Sequence, residues 1–376
     1  MPETQEKKVE YLELIYDLIF VYLIGRNNSM LHSIEDGFIP GMTFYAYVLC
    51  TLSIIQIWNF STFYINLYGR NSVRDHAFLF INMYLFYHMA DGMTSMWQPA
   101  FYHFCTAWAL ILVNLGLQHL IEMRNHADEP HVLALLRRKA IIILTEAGLI
   151  LLHMLGYYLT GISFSIIPIL FGFIANIMSG KVSRLVPVDF PHLSERAMLY
   201  VVFTFGEMVI SITDYFSGPL TSQSAYFSTM AFLIVAGLFL SYELLYNRMI
   251  DRDMTTNGTG YMLIHVFLVF ALNNISVALE FMRMENVDLL PKTLFISASF
   301  LLYSACLFAL GFYTKNKCGF NFRLFSRLAV LFVIFFTLMV CLRHNMYINI
   351  AISVAFVAGV FLVLFRRSRD LPQQCS

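Results

Sequence analysis

Apolar runs of roughly 17–25 residues, each closed by a short polar break, follow one another along the whole chain. Twelve such stretches can be drawn, at 11–32, 38–64, 76–95, 102–123, 137–159, 162–179, 195–216, 226–248, 259–282, 292–313, 324–342 and 346–365. A backbone in lipid must satisfy its polar groups internally, so these runs predict helices. Their near-continuous apolarity argues against an outer-membrane barrel, whose strands alternate. The longest breaks, 124–136 and 180–194, are polar and hold Pro130, Pro187 and Pro191. The pattern predicts an all-α polytopic membrane protein with about twelve transmembrane helices.

One segment occurs twice. Residues 64–75 read YINLYGRNSVRD and residues 242–253 read YELLYNRMIDRD, identical at six of twelve positions and 178 residues apart. Each copy closes a long apolar stretch, which predicts a duplicated chain with a first six-helix repeat over 1–179 and a second over 180–376. Basic residues set the orientation. Counting Lys and Arg by alternate sides of twelve spans gives twenty on the side of the two termini and four on the other: Arg26, Arg283, Lys292 and Arg343. Both termini are therefore expected in the cytoplasm. Six spans per half place the copies in the same orientation, as parallel (6+6) repeats.

Composition agrees. Hydrophobic residues make up 59% of the chain and charged residues 13%, against about 45–50% and about 25% in a soluble domain. The net charge of zero offers no electrostatic case for nucleic acid. The six cysteines, Cys50, Cys105, Cys306, Cys318, Cys341 and Cys375, form no C-x-x-C pair or metal-ligand spacing and read as small apolar filler. The opening MPETQEKKVE lacks the pattern of a secretory signal. No H-E-x-x-H, G-x-S-x-G, P-loop, dinucleotide fingerprint or potassium-filter motif occurs, so no catalytic residue, metal or cofactor is expected. The N-G-T at Asn257 falls on the cytoplasmic side in this topology and is discounted as a glycosylation site.

Charges inside the spans are then the informative residues, since each costs at least about 2–3 kcal/mol near the bilayer centre. Glu13 and Asp17 in the first span are four apart and share a helical face, with Arg26 near its far end. In the seventh span Ser194 can cap the helix and Glu195 can complement its positive end. Glu207 lies twelve residues beyond Glu195, roughly 18 Å deeper and past the midplane. It is the leading candidate for a working acid, and Gly206 beside it permits close helix approach. Glu146 and Glu243 are further acids within spans. His88, His153, His265 and several asparagines, Asn59, Asn82, Asn114, Asn176, Asn273 and Asn274 among them, imply a polar interior and individually read as interhelical hydrogen-bond partners. Two alignments of the halves stay open here: an offset of 178 matches Asp17 with Glu195, and one of 181 matches Gly25–Arg26 with Gly206–Glu207.

Three segments, LELIYDLIFVY (12–22), IWNFSTFYIN (57–66) and ERAMLYVVFTFGEMVIS (195–211), resemble the motifs of the bacterial low temperature requirement A (LtrA) family of integral membrane proteins. The resemblance covers nearly the whole chain. It marks Glu13, Asp17, Trp58, Thr62, Asn66, Glu195, Arg196, Gly206 and Glu207 as motif positions, with His265 a weaker match. One departure is Gly69 after Asn66, which moves the following arginine to Arg70. The family is tied by name to growth in the cold. The resemblance implies a bacterial cytoplasmic membrane protein and leaves its activity open.

The expected function is an ion- or proton-coupled secondary transporter of a small solute, with Glu13, Asp17, Arg26, Glu146, Glu207 and His265 as substrate or ion-coupling candidates. The alternatives are a membrane enzyme acting on lipid or lipid-linked substrates through Glu13, Asp17, Glu195 and Arg196, and a non-catalytic channel or assembly factor. The reading leans away from an enzyme. The bilayer and an unknown small solute or ion are the expected partners. Oligomeric state is not encoded in any feature of the sequence.

Overall fold

A computed structural model describes residues 9–94, 97–213, 221–315 and 320–369. Lys7, Lys8 and Lys317 of the basic tally, and Cys318 and Cys375, lie outside the described residues.

The described residues form thirteen α-helices and no strand beyond two isolated bridges. They are α1 (Tyr11–Asn28), α2 (Gly41–Tyr68), α3 (Val73–Asp91), α4 (Trp97–Glu122), α5 (Pro130–Thr160), α6 (Ile166–Met178), α7 (Gly180–Ser183), α8 (Phe190–Ile212), α9 (Ser222–Arg248), α10 (Thr259–Arg283), α11 (Leu289–Leu310), α12 (Phe322–Cys341) and α13 (Met346–Arg369). Apart from the single turn of α7, each falls on one predicted stretch. Eight of them, α2, α4, α5 and α9 to α13, are long and apolar enough to cross a membrane. The other four are exceptions for physical reasons. Helix α6 has 13 residues, roughly 20 Å against a hydrocarbon core of about 30 Å. Helices α1 and α8 are long enough but carry three charges each, Glu13, Asp17 and Arg26, and Glu195, Arg196 and Glu207; α3 is long enough but too polar, with His76, Asn82 and His88 besides Arg74, Asp75 and Asp91.

Local chemistry fixes the helix ends. Helix α5 opens on Pro130 and closes at Gly161 with φ +70°, whose amide returns to the Tyr157 carbonyl, the arrangement Pro and Gly favour at opposite ends. Ser72 caps α3 by accepting from the Asp75 amide, Asn321 caps α12 through the Leu324 amide, and Thr221 and Ser224 form a reciprocal capping box on α9.

The chain separates into two compact units. The first comprises the chain up to Ser33, Ile39–Ala197 and Thr255–Met262, and the second Ile34–Phe38, Met198–Met254 and the chain from Leu263. In the first unit α2 is buried along most of its length, with α1, α4 and α6 against it and α5 packed on α4 and α6. In the second, α9 packs on α13, and α13 on α12. Phe300, Phe332, Phe335 and Phe356 stack between α11, α12 and α13. The polar interior of the first unit is a relay across four helices. Ser61 of α2 bonds the Tyr16 hydroxyl of α1 at 2.8 Å, Asn82 of α3 donates to that hydroxyl at 3.3 Å, and Asn114 of α4 donates to Asn82 at 2.9 Å.

Two glycines test the small-residue expectation. At Gly206 a side chain would meet open space, so no close approach depends on it. The close approach occurs at Gly172 of α6, where a methyl group would collide with the Gln56 amide and the Glu146 carboxyl. Both of those side chains are buried and have nowhere to retreat. Gly172→Ala is therefore expected to lower the thermal midpoint of the purified protein, an overpacking cost of about 1–3 kcal/mol. Gly206→Ala should raise it slightly, since an exposed helical glycine is worth about 0.5–1 kcal/mol less than alanine.

Candidate functional site

Two i, i+4 pairs meet inside the first unit. On α1, Glu13 and Asp17 project from one face, both buried. On α8, His192 and Arg196 do the same, and the Arg196 guanidinium is completely excluded from solvent. Arg196 Nη2 donates to Asp17 Oδ1 at 2.6 Å, while its Nε lies 3.4 Å from Glu13 Oε2. His192 Nε2 approaches the same Glu13 oxygen at 3.4 Å. Trp58 of α2 donates its indole N–H to Asp17 Oδ1 at 2.9 Å. One guanidinium thus spans two carboxylates, a task suited to the rigid fork of Arg and not to the point charge of Lys.

Asn66, in the last turn of α2, ties this site to the start of α8. Its side chain donates to the Asp189 carbonyl at 2.8 Å and accepts from the Asp189 amide at 3.1 Å. Its Nδ2 also lies 3.0 Å from His192 Nδ1. An amide N–H pointing at Nδ1 makes that nitrogen the acceptor and leaves the proton on Nε2, facing Glu13. Asn66 therefore does not act with the arginine that follows it. Gly69 and Arg70 make none of these bonds.

The helix start differs from the expectation for Ser194 and Glu195. Helix α8 begins at Phe190, and Asp189 supplies the cap by accepting from the His192 amide at 3.1 Å. Pro191 sits in the first turn, where its missing N–H is no loss. Ser194 instead bonds back to the Pro191 carbonyl at 2.9 Å, and Glu195 is exposed beyond the first turn. Two basic residues counted as cytoplasmic flanks are interior as well: Arg196, and Lys139, whose ammonium bonds Asn176 and lies over the Phe63 ring.

The motif positions Glu13, Asp17, Trp58, Asn66 and Arg196 come together. Thr62 is buried nearby on α2. The remaining candidates lie elsewhere. Arg26 is exposed at the end of α1. Glu146 is fully buried in α5 beside Gln56. Glu207 belongs to the second unit and is half-buried, with Glu280 of α10 as its charged neighbour and Ser211, one turn on, bonded to Ser276 at 3.0 Å. His265, also in the second unit, is buried against the Tyr242 hydroxyl at 3.1 Å. Asp17 and Glu195, matched by the 178-residue offset, occupy opposite environments, one buried and one exposed.

A second charged cluster carries no signal in the sequence pattern. Glu122, at the end of α4, is fully buried. Arg74 pairs with it closely, Arg70 stands 3.7 Å away, His126 3.2 Å, and the Tyr64 hydroxyl 3.4 Å. Arg70, Arg74 and Tyr64 belong to the first copy of the repeated segment, so that copy is a clamp on Glu122. In the second copy α9 runs on through Arg248, and Arg252 lies over the Tyr246 ring. Between cluster and site lies a cavity of about 150 Å³, lined by Glu10, Glu13, Tyr64, Arg70, Asp75 and Gln118 among others. Glu13 thus faces both this cavity and Arg196.

Removing Arg196 leaves buried carboxylates without their guanidinium. Arg196→Met is expected to cost about 3–5 kcal/mol in unfolding experiments, and Arg196→Lys should recover only part of it. Combined with Asp17→Asn, the loss should be less than additive, by about 0.5–3 kcal/mol in a double-mutant cycle.

At the head of α3, ahead of the predicted 76–95 span, burial acts to raise the Asp75 carboxyl. The Arg70 amide at 3.0 Å, the Ser72 hydroxyl and Arg74 outweigh it and hold the group below its ordinary value. A depressed folded value contributes stability above the unfolded carboxylate range, lost as pH falls through it. Asp75→Asn should therefore destabilise the protein at neutral pH, and the gap to wild type should close toward about pH 3, read from thermal midpoints across a pH series.

No curated protein and no solved structure matches the chain. One family model does, across residues 8–364, a range that holds the α1 acids, the α2 segment and the α8 arginine just described. By that match the chain belongs to the bacterial low temperature requirement A protein (LtrA) family.

Proposed function

We propose that this membrane protein is a proton-coupled secondary transporter of a small solute, with the Glu13–Asp17–His192–Arg196 network as its coupling centre. One observation carries the reading. A buried bridge of two carboxylates and a guanidinium includes an imidazole, and one of its carboxylates, Glu13, also lines a cavity. Asp17, held by Arg196 and Trp58, is the fixed end. Glu13 and His192 are the end offered as the exchanging one, since Glu13 lines the cavity and His192 Nε2 faces Glu13. A proton on His192 takes these four groups from a formal charge of −1 to zero, and a cationic solute at Glu13 would compete with it. Coupling of that kind requires two ligands with opposed preferences for one charged centre.

The proposed setting is the bacterial cytoplasmic membrane, with twelve spans in two parallel halves, 1–179 and 180–376, and both termini in the cytoplasm. Twelve helices on the twelve apolar stretches support the span number. The basic asymmetry supports the orientation, and it survives the transfer of Arg196 and Lys139 to the interior. For short α6 to cross, the bilayer must thin around it or its flanking residues must reach outward.

The lipid-enzyme reading needs Glu13, Asp17, Glu195 and Arg196 to act together on a head group. The three buried members are occupied with one another and Glu195 is exposed, so acid, base and substrate lack a common surface.

Proteoliposomes loaded with a pH-sensitive dye test the proposal. They are challenged in turn with amino acids, polyamines, organic acids and monovalent cations. At least one class should drive a change in luminal pH, and Glu13→Gln and His192→Ala should abolish it while Glu195→Gln leaves it intact. A steady proton leak without solute dependence would establish a channel instead. A solute-driven signal of wild-type size in both Glu13→Gln and His192→Ala would remove the network from coupling.

A further inference from the structure

Glu146 stands apart from the salt-bridged network. It sits at the middle of α5, fully buried, facing α2 and α6. Its one bonded partner among the described residues is the neutral amide of Gln56, whose Nε2 lies 3.4 Å from Glu146 Oε2 and 3.4 Å from the Ile169 carbonyl. Two buried oxygens are left without a donor, Glu146 Oε1 and Gln56 Oε1. Gly172 lets both side chains press against the α6 backbone, where a methyl group would collide with them.

Among the described residues no charged group pairs with this carboxyl. Helix α2 presents Gln56, and α6 presents the Ile169 carbonyl and Gly172. Helix α4 contributes His119, which lies near Lys139, and Cys105, which lies near Cys50 of α2; neither bonds Glu146. On α5 itself Lys139, two turns before, is held by Asn176, and His153, two turns after, is held by Ser165 and the Phe164 amide. A bare carboxylate here would carry a desolvation cost that no partner offsets. One added proton removes the charge and supplies the missing donor, since the acid O–H can serve an amide oxygen while the acid carbonyl keeps the Gln56 N–H.

We infer that Glu146, with Gln56 and Gly172, is a second site in the first unit and that its ligand is an exchangeable proton. The inference deepens the proton-coupled reading and rests on it only for the use made of the proton. Binding is a simple acid dissociation: the Glu146 O–H bond forms or breaks, and the proton exchanges with water.

Difference infrared spectroscopy on the full-length protein in lipid nanodiscs reads that bond directly, with no solute present. Wild type should show the carbonyl stretch of a protonated carboxyl at neutral pH, lose it at alkaline pH and shift it in D₂O. Glu146→Gln should remove the band and keep the neutral-pH thermal midpoint, because the amide copies the uncharged acid. Asp17→Asn should keep the band. A wild-type spectrum without it, or a band that Glu146→Gln leaves intact, overturns the inference. So does a band that D₂O never shifts, which would mean a sealed acid. If Glu146→Gln does not fold, Glu146→Asp retains a carboxyl and must move the band; an unmoved band is equally fatal. An absent band leaves solute-driven flux through Glu13 standing, and absent flux leaves the band standing.

Discussion

The guanidinium of Arg196 is the group on which the interior of the first unit depends. It is completely buried, and what makes that tolerable is the pair of carboxylates that α1 brings to it. Each partner requires the others: Asp17 without Arg196, or Arg196 without Glu13 and Asp17, would be an uncompensated charge in a low-dielectric interior. The requirement propagates outward. Trp58 fixes the Asp17 oxygen, and Asn66 fixes the loop residue that caps α8 and so sets where His192 and Arg196 emerge. Five of the motif positions, Glu13, Asp17, Trp58, Asn66 and Arg196, form one polar assembly distributed over α1, α2 and α8, so that no helix holds it alone.

Much of this was legible in the sequence, for reasons that can be named. Apolar runs located the helices, and for eight of them the run has the length and apolarity that a bilayer imposes and soluble folds do not. Glu13 and Asp17 were visible because their spacing is helical and their cost in lipid is high. His192 was hidden by Pro191, which reads as a breaker when a helix is expected to start at Ser194, yet fits a first turn. Glu122 was hidden because an acid at the end of an apolar run normally belongs to the interface; only the structure shows Arg74, Arg70 and His126 converging on it. Gln56 carries no charge and offers no signal until its position beside Glu146 is known. Glu207 stood out by depth, but depth along a helix does not say which way the side chain turns, and it is half-buried.

The repeated Y-x-x-L-Y-x-R-x-x-x-R-D segment shows how one string can serve two ends. In its first copy a helix stops at Tyr68, and the arginines swing onto a buried acid. In its second, the helix runs on through Arg248 and an arginine settles over a tyrosine ring. The difference lies in what surrounds each copy, since a buried carboxylate recruits every nearby cation while an aromatic face holds one weakly.

The brevity of α6 has a consequence for access. Helix α6 begins at Ile166, three residues before the Ile169 carbonyl that bonds Gln56. That is a rise of roughly 4.5 Å. The turn just ahead of it holds Ser163 and Ser165, hydrogen-bonded to each other and to His153. Gly172, the α6 residue that faces Glu146, lies six residues from that start, roughly 9 Å, so a carboxyl that counting along α5 places at mid-depth is under two helical turns from the beginning of α6. A short α6 thus brings the polar turn of Ser163, Ser165 and His153 nearer to Glu146 than a helix of full spanning length would.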